Sequence, residues 1–373
     1  MTDSLRPGWS GRIRTLQSTL AEQALDALVV SAPINLRYLT GFSGSSGLGV
    51  VTPGGVMLVA DGRYLRAIRE DRSRGTLAPI EIEPVAERYD DTLSALLSRL
   101  GARRVGIEAA HVTVATLEHW RGLSAGITWV STRGLVEGLR LVKDAGEQTT
   151  LRRAGVLLGE VACALPGLIG TGLTERAIAA RIDEAMRRAG FERPAFPTIV
   201  ASGPRSAHPH ARPTDREPAR GDLVVLDFGG VLDGYCVDLT RMAVVGQATP
   251  EGRRLFAAVH EAHAAAVAAI GPGVPCRAID QAARAVLELN GLGDAFVHAT
   301  GHGLGLEVHE GPRIARTVGD PGDPETVTAG MVFTIEPGAY VESVGGVRLE
   351  DDVLVTVDGC EILTDAPRDL LVV

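Results

Sequence analysis

DLVVLDFGGVLDGYCVDLTRMAVV, residues 222–245, is the stretch whose reading decides the fold. Two apolar runs flank Asp233-Gly234, a dipeptide that favours a two-residue type I′ hairpin turn. Centring the turn there sets Gly229 opposite Asp238. Asp227 lies two residues before Gly229 and so shares its face. The two carboxylates become diagonal cross-strand neighbours, roughly 7–8 Å apart at Cα. Bare anions repel one another in that arrangement, whereas a cation between them is gripped from both strands. A solvated hairpin would carry its acids at the surface, but VVLDFGG has the composition of a buried strand. A buried carboxylate needs a partner or a metal, and Arg241 is the only local cation in the stretch.

Moving outward, residues 298–310 read HATGHGLGLEVHE and bring together His298, His302 and His309. Interleaved glycines at 301, 303 and 305 allow close backbone packing. Imidazole is both the commonest metal ligand and the usual general acid or base. The His298-x-x-x-His302 spacing suits two ligands on one helical face. It is not the HExxH zinc-protease pattern, because Ala follows His298. Further on, MVFTIEP (331–337) places Glu336 at an apolar strand. GGVRLEDDVLVT (345–356) is a second strand carrying Arg348, Glu350, Asp351 and Asp352, with Gly345 and Gly346 read as a turn between the two. A salt bridge to Arg348 would account for one of these acids but not several. Gathered without metal, Asp227, Asp238, Glu336 and Glu350 would repel strongly or take up protons. Two divalent ions remove that problem, and an oxygen-rich donor set favours Mn²⁺, with Co²⁺ or Zn²⁺ as alternatives. His260 and His263 read as surface residues of an alanine-rich helix, and His111 and His119 carry no supporting context.

The chain has 373 residues, which suggests two domains at roughly 150 residues each. Its net charge of −9 argues against nucleic acid or an anionic membrane as partner, since both call for a basic surface. No apolar run approaches the ~20 residues that span a bilayer, and MTDSLRPGWSGRIRTL has no apolar secretory core. Cys163, Cys236, Cys276 and Cys360 are scattered, as reduced thiols of a cytoplasmic protein would be. Strand-like runs at 26–31, 49–52, 56–60, 80–83 and 104–108 alternate with helical patterns at 12–24, 92–100 and 114–123, which predicts an α/β domain over 1–139. The polar segment LVEGLRLVKDAGE (135–147) opens a second domain, 140–373. There, helices at 147–168, 174–189, 251–270 and 276–290 are grouped apart from the strands, which predicts α+β. The glycine-rich Gly41–Gly49 lacks the Lys-Ser/Thr of a phosphate-binding loop.

Taken together, these motifs resemble the pitta-bread metallopeptidases: methionine aminopeptidase, aminopeptidase P and prolidase. The five metal-ligand positions of that family fall on Asp227, Asp238, His302, Glu336 and Glu350, in order and in context. Its further catalytic histidine falls on His210, in IVASGPRSAHPHARP, with His208 nearby as a weaker candidate. NLRYLTGFSGSSG (35–47) and ADGRY (60–64) resemble the extra N-terminal domain of prolidase, aminopeptidase P and creatinase. Methionine aminopeptidases lack that domain and creatinases lack the metal ligands, so both are disfavoured. The resemblance implies a homodimer holding two divalent ions per chain and cleaving small peptides before proline, with a metal-held hydroxide attacking the scissile carbonyl. In that scheme Asp238 and Glu350 bridge the ions, Glu336 is the general acid/base, and His210 and His309 stabilise the oxyanion or hold the scissile amide. His298, Arg313 and Arg348 bind substrate, with Arg313 taking the free carboxylate of a dipeptide. Aminopeptidase P activity on longer peptides is the alternative, and a non-catalytic binding protein on the same fold is a further one.

Overall fold

A computed structural model describes residues 8–170, 172–317 and 324–373, so that the opening MTDSLRP, read above as free of a secretory core, lies outside the described residues. The backbone divides into two units, one running up to Arg140 and the other spanning Leu141–Val373.

In the first unit, short apolar runs become the central strands, buried on both faces, with the more exposed β4 and β6 at the edges, and amphipathic segments become helices. The order is α1 (Trp9–Glu22), β1 (Ala27–Val30), α2 (Pro33–Thr40), β2 (Leu48–Thr52), β3 (Gly55–Ala60), α3 (Leu65–Arg74), β4 (Glu81–Pro84), α4 (Tyr89–Arg99), β5 (Arg104–Glu108), α5 (Val114–Leu123), β6 (Thr128–Thr132) and α6 (Glu137–Arg140). The six strands form one mixed sheet in the order β4-β3-β2-β1-β5-β6. Val29, Val59, Leu93, Leu96, Val105 and Trp120 make its core. The predicted α/β character holds. At the start of the glycine-rich segment, Gly41 ends α2 at φ +80°, where a Cβ would come within 2.4 Å of the Thr76 carbonyl oxygen.

The second unit is α+β, as predicted. It opens with α7 (Ala145–Leu168) and α8 (Glu175–Ala189), then β7 (Arg193–Pro194), β8 (Ile199–Ser202), β9 (Leu223–Leu232) and β10 (Tyr235–Val244). Next come α9 (Pro250–Ala268) and α10 (Cys276–Leu289). The remaining strands are β11 (Gly301–Gly303), β12 (Glu310–Ile314), β13 (Val332–Ile335), β14 (Gly338–Val341), β15 (Gly345–Arg348), β16 (Asp351–Val355), β17 (Cys360–Ile362) and β18 (Leu371–Val372). One sheet runs β18-β10-β9-β7, with β8 also paired to β9. A second runs β12-β11-β13-β16-β17, and β14-β15 form a separate hairpin. The central hairpin is buried on both faces. Val224, Leu226 and Phe228 pack with α7 and α8 residues such as Leu158 and Ile182. Val225, Met242 and Val244 pack with α9 and α10 residues such as Val259 and Ile279. Asp227 sits on this second face by strand alternation.

Four expectations need correction. Gly345 and Gly346 begin β15 rather than making the turn, which falls at 342–344. A Cβ at Gly346 would lie 2.0 Å from the Ser206 carbonyl oxygen, so close backbone approach demands the glycine. The single strand expected over 345–356 is broken at Leu349–Glu350 into β15, paired with β14, and β16, paired with β13. His298 and His302 do not share a helical face, since His302 lies on β11 and His298 in the loop before it. His263 is not a surface residue: it is buried, with Nε2 3.1 Å from Asp351 Oδ2, whereas His260 is exposed. The apolar face of α9 turns inward at 259, 262 and 266, and His263 lies on that side.

The Asp233-Gly234 turn has φ +49° and +82°, both in the left-handed region that a type I′ turn requires. Gly234→Ala places a Cβ at such a φ and should cost about 1 kcal/mol, read as a lowered midpoint of denaturant unfolding. An unchanged midpoint would mean that the turn does not hold the hairpin.

Candidate metal centre

The hairpin register pairs Asp238 with Gly229 and Thr240 with Asp227, the alignment read from the Asp-Gly turn. In the second sheet the ladder pairs Ile335 with Asp351, which sets Glu336 and Glu350 opposite one another just past its end. His302 comes from β11, where the backbone is crowded. A Cβ at Gly301 would lie 1.8 Å from the Thr334 carbonyl oxygen, and one at Gly303 would lie 1.9 Å from that of Gly311. Those glycines let β11 press between β12 and β13 and carry His302 to the acids.

His210, Asp227, Asp238, His298, His302, His309, Arg313, Glu336, Arg348 and Glu350 all line one cleft of about 700 Å³. His208 is exposed and is not among its lining residues. Donor atoms of Asp238, His302 and Glu350 all lie within 4.8 Å of one another. Glu336 Oε1 is 3.5 Å from His302 Nε2, and the His302 and His309 rings lie 4.1 Å apart, centroid to centroid. His302 Nδ1–H donates to the Gly303 carbonyl oxygen at 3.1 Å. That bond fixes the tautomer in which Nε2 keeps a free lone pair, the form a metal ligand needs.

Electrostatics point the same way. Burial, followed by the neighbouring Glu350 and Asp227 carboxylates, pushes Asp238 well above the usual carboxylate range. Burial and the neighbouring acids do the same for Glu350, and burial also raises Glu336. The Oδ1 atoms of Asp227 and Asp238 are buried without a hydrogen-bond partner. Orphaned buried carboxylate oxygens beside an imidazole lone pair form a donor set suited to hard divalent cations. The residues present therefore fit divalent metal. Burial lowers His298 and His302, and takes His309 down to about 4, so all three are neutral near pH 7.

Some supporting residues escaped the sequence reading. Thr240 Oγ1 donates to Glu350 Oε2 at 2.6 Å, and Thr334 Oγ1 accepts from the His302 backbone N–H at 3.1 Å. Each lies two residues from a predicted acid on the same strand face, a signal that was available. Tyr340 had none: its hydroxyl reaches His298 Nε2 at 2.9 Å and accepts from Arg348 Nη1 at 2.8 Å. Arg348, expected at the substrate, is buried and bonds Asp227, Tyr340, Thr240 and the Pro209 carbonyl, which suits a holding role. Arg241, the local cation of the hairpin, points away from Asp227 and pairs with Asp351 at 2.8 Å. Lys143, read as part of a polar opening segment, is buried and pairs with Glu310, beside His309, at 2.9 Å.

A family model for metallopeptidase family M24 matches residues 149–357, the span that carries every one of these residues except Lys143. The chain belongs to metallopeptidase family M24. A creatinase/prolidase N-terminal domain model matches residues 12–142, so the M24 unit is preceded by the domain whose motifs were read from 35–47 and 60–64. Among M24 relatives, the chain is 34% identical to the Xaa-Pro dipeptidase of Pyrococcus furiosus, over 96% of this chain and 99% of that one. The solved Xaa-Pro dipeptidase from Bacillus anthracis superposes with a TM-score of 0.93 at 31% identity, covering 98% and 100% of the two chains. The X-Pro aminopeptidase from Thermotoga maritima superposes with a TM-score of 0.85 at 32% identity, covering 94% and 98%.

The raised acids make a pH test. Their folded pKa values exceed the unfolded ones, so the stability that protonation gives the metal-free cluster is present at low pH and lost as pH rises. Metal has to displace those protons. The gain in unfolding temperature on adding Mn²⁺ should therefore grow between about pH 5 and 8, and Asp238→Asn should abolish it. A gain that is independent of pH, or that survives in the variant, would count against the cluster as the binding site.

Proposed function

We propose that the chain is an Xaa-Pro dipeptidase using two divalent ions, Mn²⁺ foremost, held by Asp227, Asp238, His302, Glu336 and Glu350. The ions supply positive charge that polarises a carbonyl and acidifies a water. The chain's own groups do the rest. Glu336, whose carboxyl burial raises above its ordinary range, is placed to act as general acid/base. His309 and His210 line the same cleft. Neutral imidazole at His309 can donate a hydrogen bond to the developing oxyanion or hold the scissile amide. His298 is oriented from both ring nitrogens, with Nδ1 bonded to the Ala299 carbonyl at 2.8 Å and Nε2 to Tyr340. Proline forms a tertiary amide without an N–H, so a site that asks nothing of that N–H suits it.

The observation that carries the dipeptidase reading is Arg313. It is exposed, lines the cleft four residues after His309, and has no acidic partner among the described residues. A planar guanidinium left free beside the catalytic histidines suits the free carboxylate that a dipeptide presents just beyond its scissile bond. The similarity to an X-Pro aminopeptidase supports the second reading, cleavage of longer Xaa-Pro peptides. A homodimer in the cytoplasm accompanies either reading by family resemblance.

Xaa-Pro dipeptides should be cleaved faster than Xaa-Pro-Yaa tripeptides, and Arg313→Ala should raise KM for the dipeptide more, by an amount equivalent to roughly 1.5–3 kcal/mol. A wild-type preference for tripeptides would turn the assignment to the aminopeptidase. Separately, His309→Ala should lower kcat about 10²–10³-fold with metal still bound, while Glu350→Ala should lose metal as well. Equal metal loss in both would show that His309 is a ligand rather than a catalytic group.

A further inference from the structure

Glu175 is the first residue of α8, fully buried, and distant in sequence from every residue of the cleft. It does not serve its own helix, because the Thr174 side chain caps α8 by accepting from the Ala177 N–H. Its carboxylate reaches two other chain segments instead. Oε1 accepts from the Ser202 N–H at 2.9 Å and Ser202 Oγ at 2.8 Å. Oε2 accepts from the Thr214 N–H at 2.9 Å, Thr214 Oγ1 at 2.7 Å and Arg205 Nε at 3.2 Å. Ser202 and Thr214 bound the loop 203–213, which opens with a 3₁₀ turn over Gly203–Ala207 and carries His210. Arg205 extends the contact inward, since its Nη2 donates to the Arg212 carbonyl oxygen at 2.6 Å, two residues past His210. The backbone of α8 adds two bonds to the same segment, Glu175 N–H to the Arg216 oxygen at 2.9 Å and Arg176 N–H to the Thr214 oxygen at 3.1 Å. Burial alone raises the pKa of such a carboxyl, yet these donors outweigh it and hold Glu175 below its ordinary value.

We propose that Glu175 is a positioning residue, a clasp that closes both ends of the 203–213 loop and so sets where His210 stands in the cleft. The proposal rests on the peptidase reading only for the role of His210; the clasp itself does not depend on it. Five donors converge on one carboxylate, and each of the three residues that supply them belongs to the loop or its ends. From the other side the loop is met by the cleft: Arg348 Nη1 donates to the Pro209 oxygen at 3.3 Å, and Ser206 Oγ accepts from the Gly346 N–H at 2.8 Å. Those contacts hold its middle, and the carboxylate holds its ends. Glutamine at 175 keeps the shape but turns an N–H₂ toward one pair of donors, so one end of the loop loses its acceptor.

The test is made on the full chain loaded with Mn²⁺. In Glu175→Gln, amide hydrogen exchange over 203–213 should accelerate at least tenfold while the β9 and β10 amides stay as slow as in wild type, and bound metal should be unchanged. Activity on an Xaa-Pro dipeptide should fall roughly 10²-fold, the scale of a misplaced catalytic group. In a His210→Ala background the same change should cost almost nothing further, because the group it positions is gone. Equal fold-losses in the two backgrounds, or unaltered exchange across the loop, would overturn the proposal. Should Glu175→Gln not fold, Thr214→Val removes one bond from the clasp and should give the same pattern at smaller size. If wild type cleaves no Xaa-Pro peptide, the proposed function fails and the exchange measurement alone decides the clasp.

Discussion

The structure is organised around buried negative charge that the protein does not neutralise by itself. Asp238 and Glu350 sit beside Asp227 and Glu336, and among the described residues the close cation is Arg348, whose ion pair is with Asp227. Isolated carboxylates in such a place are expensive, and the chain meets the cost by protonation when nothing else is bound. A fold that keeps this arrangement must gain from it elsewhere. In the proposed function that gain is the holding of divalent ions by acids that two sheets of rigid strand already bring together. Because each acid is on or directly beside a strand with fixed register, the geometry is a property of the backbone rather than of flexible side chains.

Around that centre, the groups proposed for chemistry are held by a further layer of buried polar contacts. Thr240 fixes Glu350, and Thr334 lies between His302 and Glu336. Tyr340 connects His298 to Arg348. Lys143 holds Glu310 next to His309, and Glu175 holds the loop of His210. Breaking one member of such a pair leaves the other buried and unsatisfied, which is more damaging than the net strength of the contact suggests. The histidines proposed for catalysis, His210 and His309, lie in loops, so their precision depends on such contacts more than on secondary structure.

Much of this was legible in the sequence, for reasons that can be named. The Asp233-Gly234 turn fixed the register of β9 and β10, and with it the diagonal relation of Asp227 and Asp238, because turn type and strand alternation are both local. Acids inside apolar runs marked Glu336 and Glu350 as anomalies, since local rules break at functional sites. The α/β and α+β characters followed from the spacing of apolar runs. What was not legible depended on distant packing. β6 is half exposed and gave no apolar run, while β11 is short and glycine-rich and β12 is short and carries Gly311-Pro312, so neither periodicity applied. His263 read as a surface residue, and Lys143 as part of a polar opening segment, because their partners, Asp351 and Glu310, are remote in sequence. Tyr340 and Glu175 act through contacts across 42 and 27 or more residues, which no local pattern announces.

The central claim is that this cluster exists to hold a pair of divalent ions, and the most direct measurement is the metal stoichiometry of the purified chain. Native mass spectrometry or elemental analysis after equilibration with Mn²⁺ and removal of free ion should find two ions per chain, and none once Asp227, Asp238 and Glu350 are replaced together by their amides. A wild-type chain that retains no divalent ion, or one whose bound metal is unaffected by those replacements, would contradict it.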